Sequence, residues 1–220
     1  MNALKETKKK HLLAILKYLY HHNSSTMNEL VENLQLSQPS IRNMVRTLQE
    51  KQLIQEVGND LSSGGRCPTR FALNEKNYLI LCLYVQVDKV IYQLRNFNEI
   101  KKEGILFYQS EDELKKTIKD LIDQEKIHCC QIAVEGIVYE DVYVTDLHNV
   151  LEKHQWLKDI KKEINIPLQL QNDVKMIHQG CYFTYQQDST YYLYINEVGI
   201  GSSYFYKDEP LYGRSGIMGE

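Results

Sequence analysis

The sequence predicts an α/β chain in two parts: a small helical domain closed by a β-hairpin over residues 1–74, and a body of mixed strands and helices over residues 75–220. Three observations carry that expectation. Apolar residues recur at helical spacing through the first 50 or so positions and then shift largely to strand-like runs. The charge is split, with ten Lys/Arg against six Asp/Glu in residues 1–74 and 16 against 23 in residues 75–220, so a basic head sits on an acidic body. With 43% hydrophobic residues and only 4 Pro and 11 Gly among 220, a buried core is affordable and a collagen-like or low-complexity chain is excluded. No stretch approaches the roughly 18 consecutive apolar residues of a membrane span. The opening MNALKETKKKHLLAIL places lysines before an amphipathic pattern and lacks a small-residue cleavage site, so a cytoplasmic protein without membrane contact is expected.

In the head, Leu12, Ile15, Leu16 and Leu19 form one apolar stripe on a helix ending near His21-His22-Asn23. Thr26-Met27-Asn28-Glu29 is a capping box that opens a second helix, whose stripe is Met27, Leu30, Val31 and Leu34. The third helix starts after Ser37 as N-cap, tolerates Pro39 in its first turn, and buries Ile41, Met44, Val45 and Leu48. Helices two and three are separated only by Gln35-Leu36-Ser37-Gln38, which describes a helix-turn-helix. Leu53–Val57 and Thr69–Leu73 read as strands around the glycine-containing loop from Gly58 to Gly65, a hairpin wing.

The third helix is the expected recognition helix. Its outward face carries Gln38, Ser40, Arg42, Asn43 and Arg46, with Thr47 further along, and no acidic residue lies between Asn33 and Thr47. Glutamine and asparagine pair with adenine edges and arginine with guanine, and a face that approaches phosphates must be free of carboxylates. The competing readings are an ordinary solvated helix face or a dimerisation and protein-docking unit.

In the body, Tyr78–Val85, Lys89–Arg95 and Gly104–Gln109 read as successive strands, with Gln86-Val87-Asp88 turning between the first two. Ser110-Glu111-Asp112-Glu113 is a second capping box, opening a helix with Leu114, Ile118, Leu121 and Ile122 inward. A strand at Cys129–Val134, a helix at Trp156–Asn165, a strand at Pro167–Leu170 and a helix at Asp173–Tyr185 complete the order βββαβαβα.

Two sets of motifs carry a family resemblance. Ser62-Ser63-Gly64-Gly65-Arg66-Cys67-Pro68, followed by Phe71-Ala72-Leu73-Asn74, resembles the wing signature S-S-G-G-R-R-P of the repressors in the ROK family of sugar-responsive repressors and sugar kinases. In the body, Ile132–Val138 resembles I-A-V-P-G-I-V, Leu170–Val174 resembles E-N-D-A-N, Tyr194–Gly201 resembles the strand into G-T-G-I-G, and Gly213–Glu220 resembles G-x-x-G-x-x-G-E. The resemblance implies a winged helix-turn-helix followed by a lobe of the actin-like ATPase (ribonuclease H-like) fold. It implies that Ser63, Gly64, Gly65 and Arg66 approach DNA through the wing, with Cys67 standing where a second arginine is common.

It also implies which chemistry to expect. Kinases of the family cradle phosphate in a D-x-G-G-T loop; here Tyr84-Val85-Gln86-Val87-Asp88 stands in that place, without glycine, and Glu197-Val198-Gly199-Ile200-Gly201 puts a carboxylate in the second phosphate loop. No kinase activity and no cofactor are therefore expected. Asn172, Asp173 and Glu220 match sugar-contacting residues, Asp146 loosely matches another, and in a kinase Asp173 would be the general base; a plain helix N-cap is the competing reading of Asn172-Asp173. Five cysteines, Cys67, Cys82, Cys129, Cys130 and Cys181, make no C-x-x-C pair, and His128 beside Cys129-Cys130 alternates across a strand, so no metal site is expected. His148 and His154 read as surface residues, and the sixteen tyrosines as strand formers.

The expected function is a transcriptional regulator, a repressor of carbohydrate genes, with a double-stranded DNA operator, a sugar or sugar phosphate effector and, by resemblance, a homodimeric state. The alternatives are a ROK-type sugar kinase carrying a DNA-binding head, or a DNA-binding module on a degenerate body that only dimerises. The family's zinc segment and adenosine-side helices would lie beyond Glu220, leaving the second lobe incomplete. The length thus predicts a truncated representative of a larger protein, or a remnant needing a partner.

Overall fold

The computed structural model describes residues 2–60, 67–75, 78–147, 150–185, 189–195, 199–206, 209–213 and 218–219, and the chain divides into two compact units, Met1–Tyr78 and Leu79–Glu220. The wing residues 62–66, together with Glu197, Val198, His148 and Glu220, lie outside the described residues.

The first unit contains α1 (Asn2–His22), β1 (Ser25–Thr26), α2 (Met27–Leu34), α3 (Gln38–Glu50), β2 (Ile54–Asn59) and β3 (Thr69–Leu73). Its helix starts follow from local chemistry. Thr26 Oγ1 accepts from the Glu29 amide while the Thr26 amide donates to Glu29 Oε2 at 2.8 Å, the reciprocal capping box. Ser37 caps α3 with Pro39 inside the first turn. Ile15, Leu19, Leu30, Ile41, Val45, Leu48 and Phe71 are almost fully buried. The short β1 adds an edge to the wing, pairing Ser25 with Phe71 and Thr26 with Arg70.

The second unit opens with β4 (Leu79–Val85), β5 (Lys89–Arg95), β6 (Ile100–Phe107) and α4 (Glu111–Asp123), followed by β7 (Ile127–Val134). β8 (Ile137–Tyr139), β9 (Val142–Leu147) and β10 (Val150–His154) come next, then α5 (Trp156–Glu163), β11 (Leu168–Asn172) and α6 (Asp173–Tyr185). β12 (Ser189–Ile195), β13 (Ile200–Tyr206) and β14 (Glu209–Pro210) close the order. The main sheet runs β11-β7-β4-β5-β6, parallel across β11, β7 and β4 and antiparallel outward from there. Leu81, Leu83, Val85, Ile132 and Val134 on the strands pack with Leu114, Ile118, Leu121 and Ile122 of α4 and Trp156, Leu157 and Ile160 of α5 into one core.

Four details differ from the sequence expectation. β8–β10 form a separate antiparallel sheet between β7 and α5, where no strands were expected. The Ser110 box is not reciprocal: Ser110 Oγ accepts from the Glu113 amide, but the Glu113 carboxylate accepts from Gln109 N–H at 2.8 Å, one residue further out. β6 starts four residues earlier than read, at Ile100, because lysines and glutamates on an edge strand hide its period. The last strands make a three-stranded sheet rather than a hairpin, with Tyr191, Leu193 and Ile195 exposed on the side away from α6.

Candidate DNA interface and effector cleft

In the first unit, α3 turns Ile41, Met44, Val45 and Leu48 inward, which by helical period sets Gln38, Arg42, Asn43 and Arg46 outward, all exposed. Ser40 and Thr47 are more committed to the helix itself. The Ser37 hydroxyl donates to Ser40 Oγ at 2.9 Å, and the Thr47 hydroxyl donates to the Asn43 carbonyl at 2.9 Å. Arg46 makes only an exposed contact with Glu50, at 3.5 Å, of the kind that contributes little and releases easily.

The sequence reading missed the residue that ties this unit together. Arg70 on β3 donates from Nη1 to both Asp60 oxygens at 2.9 Å, from Nη2 to Glu29 Oε2 and the Ser24 carbonyl at 3.2 Å each, and from Nε to Ser24 Oγ at 3.1 Å. One guanidinium thus ties the wing strand to the α1–α2 turn and the α2 cap, a fork that a lysine could not reproduce. The bond from the Thr26 amide, together with Ser25 and Arg70, holds the Glu29 carboxyl below the ordinary carboxylate range. The Asp60 carboxylate in turn raises the Arg70 guanidinium further. An arginine just past a glycine-rich loop was the available signal.

In the second unit, the carboxyl ends of β4, β7 and β11 bring Tyr84, Gln86, Glu135, Asn172 and Asp173 together, the position where open α/β sheets bind ligands. The Tyr84 hydroxyl donates to Glu135 Oε1 at 2.7 Å and lies 3.2 Å from Asp173 Oδ2; Gln86 Nε2 donates to the same Glu135 oxygen at 2.9 Å. The Tyr84 phenol thus stands between two carboxyls with a single proton to offer them. Burial raises the Asp173 carboxyl, against the bonds from Val174 N–H and Tyr84 that lower it, and burial also raises the Tyr84 phenol. Where a phosphate-cradling turn would need bare backbone amides, the Gln86 amide donates to the Lys89 carbonyl and the Gln86 side chain is held by Glu135.

Asn172 is 3% exposed and fully engaged: Nδ2 donates to the Gly136 carbonyl at 3.0 Å and Oδ1 accepts from the Lys175 amide at 3.0 Å, capping α6. Gly136 sits at φ +110°, and a Cβ there would meet the Val144 carbonyl oxygen at 2.3 Å, so β8 and β9 can close only over a glycine. Gly219 is equally constrained, at φ +99° with its carbonyl accepting from the Ser202 amide. Asp146 lies on β9, paired with Leu151. His154 is not the surface residue expected. Its ring stacks on Tyr143 at 4.5 Å, Nδ1 donates to Glu111 Oε1 at 2.8 Å, and Nε2 lies 3.0 Å from Thr145 Oγ1. Among the described residues no group of three or more His, Cys, Asp or Glu could hold a metal ion.

Residues 102–220 match the model of the ROK family, and residues 10–58 match that of the IclR helix-turn-helix domain. Across 225 aligned residues the chain is 23% identical to the xylose repressor of Staphylococcus xylosus, covering 94% of this chain and 58% of the repressor. A crystal structure of a ROK family transcriptional regulator, homologous to the E. coli MLC protein, superimposes with a TM-score of 0.73 at 18% identity, over 89% of this chain and 54% of that one. A ROK family protein from Streptococcus pneumoniae, solved with sucrose, gives a TM-score of 0.52 at 13% identity, over 64% of this chain and 50% of that one. The chain therefore spans between half and three-fifths of the length of these relatives, and at such identities the structural likeness speaks for the fold: a helix-turn-helix head and an actin-like lobe.

Proposed function

Because this chain belongs to the ROK family, we propose that it is a sequence-specific, DNA-binding transcriptional regulator, a repressor of carbohydrate genes that responds to a sugar. The observation that carries this reading is the α3 face: Gln38, Arg42, Asn43 and Arg46 stand exposed on a capped helix, without an acidic residue from Asn33 to Thr47, within a region that matches a helix-turn-helix model. In this reading those residues contact base edges, Ser40 lies at the phosphate-facing end of the helix, and Ser63, Gly64, Gly65 and Arg66 of the wing reach the minor groove. The protein acts as a homodimer on a palindromic operator in the cytoplasm; no described helix is long and apolar enough to cross a membrane.

The second unit supplies the sensor, by family resemblance around Asn172, Asp173 and Glu220. The kinase alternative is disfavoured by the contacts at the β4–β5 turn, where Tyr84 and Gln86 fill the space beside Glu135 and Asp173 with side chains. Selection of a binding site from random duplexes, followed by gel-shift titration, tests the regulator reading. Arg42→Ala and Asn43→Ala should each weaken the selected site by about 1–3 kcal/mol and relax preference at one base pair, whereas unchanged binding in Arg42→Ala and Arg66→Ala would overturn the interface.

A further inference from the structure

The wing of the first unit is a ribbon with little to hold its far half. β2 buries only Ile54, and β3 buries Phe71 and Leu73, so past Phe71, toward the loop, neither strand has an apolar anchor. A bulge shifts the register between Glu56 and Gly58, and Val57 is 49% exposed. Two-stranded ribbons are marginal by themselves and vary widely in twist. What sets the direction of this one is polar. The two residues of β1 pair with Phe71 and Arg70, and all three nitrogens of the Arg70 guanidinium are engaged within the chain. Nη1 reaches both oxygens of Asp60, the residue that follows β2 and whose amide donates to the Pro68 carbonyl at 2.9 Å. Nη2 and Nε reach Glu29 on α2 and Ser24 in the turn before β1. Both strands of the wing are thereby tied, through one side chain, to the α1–α2 turn.

We propose that Arg70 is the positioning residue of the wing: its fork fixes the wing against the α1–α2 turn, and DNA affinity depends on it although it touches no DNA. The proposal rests on the reading of this unit as a DNA interface and adds to it the residue that makes the wing a fixed contact. Arg70 is a poor phosphate ligand, because its donors are committed to Asp60, Glu29 and Ser24. A lysine keeps the charge but offers no planar fork, so it cannot hold those three partners at once. A wing already held in place loses less freedom when it docks, and preorganisation of that kind raises affinity without any new contact. The helix α3 has its own apolar anchors in Ile41, Met44, Val45 and Leu48, so its base contacts are independent of Arg70.

The duplex selected from random sequence is titrated by gel shift with the full chain, and circular dichroism melts establish that each variant is folded at the temperature used. Arg70→Lys should weaken binding about tenfold, as should Arg66→Ala, and the two together should cost no more than Arg66→Ala alone, because both remove the same wing contact. Arg70→Lys combined with Arg42→Ala should instead give the product of the separate losses. A loss that multiplies with Arg66→Ala marks general damage to the unit and overturns the proposal. Full affinity in Arg70→Lys overturns it as well, since charge alone would then suffice. Asp60→Ala is the second variant, for the case in which Arg70→Lys does not fold. It removes a negative charge from the base of the wing, so electrostatics alone predicts tighter binding to DNA, whereas loss of the fork's anchor predicts binding about fivefold weaker; tighter binding overturns the proposal. If Arg42→Ala weakens binding and Arg66→Ala does not, the α3 interface stands and the positioning role of Arg70 falls. If no duplex is selected, the regulator reading falls and the proposal with it.

Discussion

Glu29 and Asp173 are two carboxyls displaced in opposite directions. Glu29 is lowered, chiefly by the Thr26 amide, so its contribution to stability is complete above its ordinary value of 4.5 and fades as pH falls through the lowered value. Asp173 is raised by burial, so its contribution is complete below its ordinary value of 3.8 and fades as pH rises through the raised one. Thermal melts of the two variants and the parent chain should therefore diverge with opposite signs. Glu29→Gln should cost more at neutral pH than in acid, and Asp173→Asn should gain stability relative to the parent as pH rises; a pair of parallel curves would refute the assignment of both partners. Neither contact set was legible in the sequence. Arg70 is 41 residues from Glu29, and Tyr84 is 51 and 89 residues from Glu135 and Asp173, distances over which residue type alone selects no partner.

At the level of elements, what the sequence revealed depended on how local the deciding physics was. The stripes of α2, α3 and α4 and the caps Thr26, Ser37 and Ser110 were all readable, because caps and stripes are settled within four residues. The caps are not equivalent, however. Thr26 is 4% exposed within a reciprocal box that also touches Arg70, whereas Ser37 is exposed and its bond to the Ser40 amide is long at 3.4 Å. Thr26→Ala should accordingly cost about 1–2 kcal/mol in chemical denaturation and Ser37→Ala about 0.5 kcal/mol, with equal costs counting against this ranking. β8–β10 escaped notice for the opposite reason. Their apolar residues alternate weakly, and the turn at Glu140 uses a left-handed residue, φ +55°, where a glycine would have announced a hairpin. Only Gly136, pressed against Val144, marks the place.

For the molecule as a whole, the two units have separate buried clusters, with Ile15, Leu30, Ile41, Val45, Leu48 and Phe71 in the first and the α4–α5–sheet core in the second. A fragment of residues 1–78 is expected to fold alone, giving a helical circular dichroism spectrum and one cooperative melt, although a domain of this size is marginal. A featureless melt would show that its core needs the remainder of the chain. The sequence by itself determined the helices, their caps, the charge split and the strands of the main sheet, since these follow from spacing and composition along a few neighbouring residues. The tertiary structure alone decided that Arg70 ties the wing strand to the α1–α2 turn and that Tyr84 bridges Glu135 and Asp173. Arg70 meets its partners because β3 lies between β1 and β2, and Tyr84 meets its own because the order β11-β7-β4-β5-β6 carries distant strand ends to one edge; the strand order of a sheet is a long-range choice that no local pattern encodes.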